Sequence, residues 1–88
     1  MKIINNTIYL KTVGINYFKE RDNLKCNTMR RFDNWEELKA FQQFKDEFES
    51  KYLNEKTIHV SWDTEGFFER KITDISKYEG YYIISWEK

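Results

Sequence analysis

The chain has 88 residues, one cysteine and no formal net charge, which predicts a single domain spanning 1–88, without an intramolecular disulfide. It also lacks the overall basic balance of a dedicated nucleic-acid binder. The start, Met1-Lys2-Ile3-Ile4-Asn5-Asn6, turns polar before a signal-peptide core could form, and no apolar run approaches the ~18 residues of a membrane span, so a cytoplasmic location is expected.

The zero net charge is a balance of unlike segments. Residues 1–32 carry seven Lys or Arg against two acids, a net +5, whereas residues 33–55 carry seven acids against three lysines, a net −4. Opposed charged surfaces of this kind can steer a small protein onto a charged partner. The single alanine, the absence of proline and the abundance of Asn, Lys and Ile suggest AT-biased coding, as in a low-GC bacterium or its phage.

In chain order, Thr7–Val13 and Ile15–Glu20 are predicted as strands, with Gly14 as a bend between them. Arg21-Asp22-Asn23 supplies turn chemistry, and the alternation of Leu24, Cys26 and Thr28 over 24–32 completes a predicted β-hairpin. A helix then starts at Asp33 or Asn34, with Glu36 or Glu37 positioned to close a capping box. Leu38, Phe41, Phe44, Phe48 and Tyr52 recur at helical spacing and form its core stripe, from which Trp35 is displaced. Glu47 and Lys51 are an i,i+4 pair, and Asn54 suits the residue after the helix.

Three β runs follow, Thr57–Trp62, Phe67–Ile75 and Tyr81–Trp86, separated by turn residues and read as a three-stranded meander. The motif Val60-Ser61-Trp62-Asp63 returns as Ile84-Ser85-Trp86-Glu87, consistent with two like-patterned strands flanking the middle one. The predicted fold class is α+β. It comprises a small antiparallel or mixed sheet of about five strands with one amphipathic helix packed on one face. One helix cannot cover both faces, so the opposite face is either solvated or binds something. On the last strand Tyr82, Ile84 and Trp86 share one side and Tyr81, Ile83 and Ser85 the other.

Catalytic and metal chemistry find little support. His59 is the only histidine and sits mid-strand, Cys26 has no cysteine partner, and the three glycines form no phosphate loop, so no metal site, cofactor or enzymatic activity is expected. The carboxylates Asp46, Glu47 and Glu49 fall on the helix's polar face, where none is desolvated enough for acid catalysis.

Two binding readings remain. The first is a protein-interaction module that occludes a site on a larger bacterial protein or nucleoprotein. Trp35, Tyr81, Tyr82 and Trp86 serve as aromatic anchors, the last three on a strand that could form a sheet edge, while Asp46, Glu47 and Glu49 provide an acidic face. In size, composition and charge layout the chain is similar to small phage proteins that inhibit host defence nucleases, some anti-CRISPR proteins among them. That likeness implies an acidic surface imitating a phosphate backbone. The second reading is a small nucleic-acid-binding regulator, in which Tyr17, Lys19, Arg21, Lys25, Arg30 and Arg31 combine rings and cations on the predicted hairpin.

Overall fold

A computed structural model describes residues 1–50 and 55–87. Among these described residues six strands and two helices follow in the order β1 (Lys2–Ile4), β2 (Thr7–Lys11), α1 (Ile15–Arg21), β3 (Asn27–Arg30), α2 (Trp35–Glu49), β4 (Thr57–Trp62), β5 (Gly66–Tyr78) and β6 (Tyr81–Trp86). The strands form one mixed sheet in the order β1-β2-β4-β5-β6-β3, in which only the β2–β4 pair is parallel. The α+β fold with a helix packed on the sheet is as expected.

β4, β5 and β6 make the predicted meander, and the two Ser-Trp strands do flank the middle one. Their inward sets are the β-branched and aromatic residues that alternation selects: Ile58 and Val60 on β4, then Tyr82, Ile84 and Trp86 on β6. β5 and β6 meet at Glu79-Gly80, where both residues have positive φ (48° and 83°), as a two-residue turn between twisted strands requires. Within β5 the pairing slips between Ile72 and Asp74, so Thr73 is an extra residue and the inward parity changes from Phe68 and Ile72 to Ile75. Gly66–Lys71 pair with β4 and Ile72–Tyr78 with β6, so one long strand serves both halves of the sheet.

The sheet curls strongly around that strand. β3 lies at the far edge from β1, yet Arg30 of β3 donates from Nη1 to the Lys11 carbonyl of β2 at 2.8 Å. A seam therefore runs between the end of β2 and the end of β3. The concave side is filled by Phe41 and Phe44 of α2 and Tyr17 of α1, packed on Ile8, Leu10, Ile58, Val60, Phe68 and Ile84. Phe41 lies 4.7 Å from the ring centroids of both Phe32 and Tyr82. Asn34 caps α2, its Oδ1 accepting from the Glu36 and Glu37 amides at 2.8 and 3.2 Å. Leu38 and Phe48 complete the stripe as half-buried contacts. Lys51, Tyr52 and Asn54 lie outside the described residues.

Three expectations are corrected. Ile15–Glu20 is helix, not strand, and the predicted hairpin does not form: β3 pairs with β6 instead. The apolar content of Ile15, Tyr17 and Phe18 suits either conformation, but Tyr17 and Glu20, three apart, are the two buried residues, which is a helical repeat. In addition, β6 is interior rather than at an edge, because β3 adds to its free side, and Lys2–Ile4 supplies a further strand at the opposite edge.

Candidate functional site

A concavity follows the seam. It holds about 550 Å³ and is lined by Lys2, Lys11, Arg30 and Arg31, by the rings of Tyr9, Phe32 and His59, and by a single carboxylate, Glu37. Its local balance is strongly positive although the chain is neutral overall. β1 covers β2 only from Thr7 to Tyr9, so on that side Leu10 and Lys11 at the end of β2 meet the groove with no strand beside them, while β4 pairs them on the other.

The groove's charges are anchored to different degrees. Arg30 is fixed: besides the Lys11 carbonyl it donates from Nε to Thr28 Oγ1 at 3.1 Å and from Nη2 to Thr12 Oγ1. Thr12 in turn donates to Glu20 Oε1 at 3.2 Å, and Lys25 Nζ stands 3.6 Å from the other oxygen. Glu20 is only 1% exposed. Burial pushes its pKa above the ordinary glutamate value, and Lys25, Thr12, Arg30 and Thr28 offset this only in part. This polar cluster closes the seam beside α1.

Arg31, by contrast, is exposed. Its guanidinium stands 6.0 Å over the Tyr81 ring and 2.9 Å from Asp33, and these neighbours, Tyr81 first, hold its pKa above the ordinary arginine value. Lys11 meets Asp63 at 3.1 Å in an exposed pair of little energetic weight. Lys2 makes no hydrogen bond or ion pair among the described residues, whereas Glu37 meets the Met1 amine at 3.1 Å.

The groove opens onto the convex face of the sheet, where register sets two rows of side chains. Lys2, Tyr9, His59 and Glu69 lie side by side across β1, β2, β4 and β5, and Lys11, Ser61 and Phe67 form the adjacent row. Tyr9 and His59 are 4.8 Å apart at their centroids, and His59 stacks on Phe67 at 4.6 Å with an interplanar angle of 16°. Glu69 Oε2 fixes the imidazole through Nδ1 at 3.1 Å. Phe67 is 63% exposed.

The residues singled out from sequence scatter. Of the basic–aromatic set, Arg30 and Arg31 line the groove, Lys25 turns to Glu20, and Lys19 and Arg21 sit on α1, the latter paired with Asp22. Tyr17 is fully buried. Of the proposed anchors, Trp35 is 71% exposed and Tyr81 is partly exposed, but Tyr82 and Trp86 are 3% exposed and belong to the core. They are buried because β6 is an interior strand whose even-numbered residues face the concave side, Tyr82 against Phe41 of α2 and Trp86 against Phe68 of β5. On α2, Asp46 is exposed, Glu47 is bound to the buried Lys56 at 2.8 Å, and Glu49 is paired with Lys45. Lys2, Tyr9, Lys11, Phe32, His59 and Phe67 are site residues that sequence reasoning missed. The one signal it offered was the alternation of Thr7, Tyr9 and Lys11 with Ile8 and Leu10, which acquires meaning only once β2 is known to pair with β4.

Among the described residues no three His, Cys, Asp or Glu side chains converge as metal ligands, and no helix is long and apolar enough to cross a membrane. The arrangement offers cations for anionic oxygens and ring faces for planar groups. Comparison with protein-family models, with curated proteins and with solved structures finds no match.

Proposed function

We propose that the chain is a non-enzymatic binding module that takes nucleic acid along the seam groove. The observation that carries this reading is the convergence of Lys2, Lys11, Arg30 and Arg31 with three rings around one concavity that contains a single carboxylate. Cations that track a phosphate backbone, interleaved with rings, are the working parts of nucleic-acid grooves. Arg30 serves as scaffold, since its donors are already engaged, which leaves Lys2, Lys11 and Arg31 for phosphates.

The test is the salt dependence of affinity for a labelled oligonucleotide. Three phosphate contacts give a log–log slope of about −2 to −3, and the double variant K11E/R31E brings it near −1. Absence of binding at ~50 mM salt, where such contacts are strong, refutes the proposal.

One observation favours a second reading. Trp35 stands exposed on the first turn of α2 beside Glu36, with Asp46 further along the helix. This is a ring-and-acid surface of the kind that docks on a larger bacterial protein or nucleoprotein, as an anti-CRISPR-type inhibitor does. Trp35→Ala leaves oligonucleotide affinity unchanged under the first reading and abolishes inhibition of such a partner under the second.

A further inference from the structure

We infer that the nucleic acid is single-stranded and that its bases stack on the convex ring row, with Phe67 as the outermost platform. The inference rests on the groove reading and adds to it which form of nucleic acid fits and which way it lies.

Cross-strand ring pairs also stabilise sheets, and Tyr9 with His59 is accounted for in that way. Phe67 makes a diagonal pair of the same kind with His59, nearly parallel at 4.6 Å, but that contact uses only one face of the ring: Phe67 is 63% exposed and among the described residues meets no other ring. The same rings connect it to the groove, because Tyr9 and His59 line the seam and belong to the row as well.

Register gives the face a polarity. Lys2 and Lys11 stand at the β1–β2 side of the two rows, the rings follow towards β5, and Glu69 closes the far end of the first row. A strand whose phosphates pass over Lys2 and Lys11 directs its bases towards His59 and Phe67 and keeps its charge away from Glu69. Lys11 is two residues along β2 from Tyr9, the partner of Lys2, an offset of roughly 7 Å, so successive phosphates meet successive lysines. A duplex keeps its bases paired and stacked internally, with no ring face free for Phe67. Unpaired bases present theirs, and stacking is tolerant of sequence because every base has a π-face.

The experiment compares three labelled probes of about a dozen nucleotides, within reach of a small single-strand site. They are oligothymidylate, the same length of abasic strand, and a duplex, each titrated with the wild-type chain and with Phe67→Ala at ~50 mM salt. Since Phe67 is mostly exposed, the variant stays folded, which its urea transition verifies. The expected result is tightest binding to oligothymidylate. Phe67→Ala lowers that affinity roughly 5- to 150-fold, leaves abasic and duplex binding unchanged, and is rescued by Phe67→Tyr. Equal affinity for all three probes, or a Phe67→Ala variant that binds oligothymidylate like wild type, overturns the stacking inference and leaves the groove reading standing. Failure of all three probes to bind overturns both.

Discussion

Arg30 is the residue whose removal most directly tests how the curled sheet is held shut. Replacing it with methionine keeps most of the buried stem and deletes the donors to the Lys11 carbonyl, Thr28 and Thr12. A hydrogen bond from a charged donor contributes about 1.5–3 kcal/mol, and the Lys11 carbonyl has no neighbouring strand to replace it. Thr12 retains Glu20, so the hydroxyls add less. We therefore expect a loss of about 2 kcal/mol or more, which at a urea m-value near 1 kcal/mol/M lowers the unfolding midpoint by roughly 2 M. The loss should shrink in acid, because Arg30 helps to hold the Glu20 carboxyl ionised and a protonated Glu20 no longer needs a cation. Arg31→Met, one residue along and exposed, is the control and leaves the midpoint in place. Equal midpoints for the two variants would refute the idea that Arg30 closes the seam.

Two further perturbations probe the core and the buried acid. Phe44→Ala, at a site 2% exposed, should cost about 3–5 kcal/mol in urea unfolding, and a transition like the parent's would mean that α2 does not face the sheet in solution. For Glu20 the folded-state pKa is raised, so its contribution to stability is fully present below the ordinary glutamate value and is lost as pH rises through the raised one. Glu20→Gln should therefore gain stability relative to wild type across that window as pH increases. A difference independent of pH, or one of opposite sign, would contradict the assignment.

The elements legible in the sequence were those whose pattern is local and long enough to be unambiguous. Asn34 followed by the spacing of Leu38, Phe41, Phe44 and Phe48 specifies α2 and its buried face without reference to the rest of the chain. The meander was equally plain, because Gly66 and Glu79-Gly80 punctuate alternating strands. α1 is not legible in the sequence because seven residues contain barely two helical turns, too short for periodicity to outweigh the β-favouring Ile, Tyr and Phe within them. The burial of Tyr82 and Trp86 depends on β3 leaving its expected hairpin to cover β6, a pairing between segments more than fifty residues apart. The groove has the same origin. Lys2, Tyr9 and Lys11 come within reach of His59 through the parallel β2–β4 pair, and of Arg31 through the seam where Arg30 meets the Lys11 carbonyl, so only the three-dimensional fold assembles the site.

The central claim is that nucleic acid lies along the seam and across the convex ring row. Amide chemical shifts of the labelled chain, titrated with oligothymidylate at low salt, test it most directly. The account predicts that the largest changes map to Lys2, Tyr9, Lys11, Arg31, His59 and Phe67, with Trp35, Asp46 and Glu49 on α2 unmoved. Changes confined to α2, or none at saturating oligonucleotide, would contradict it.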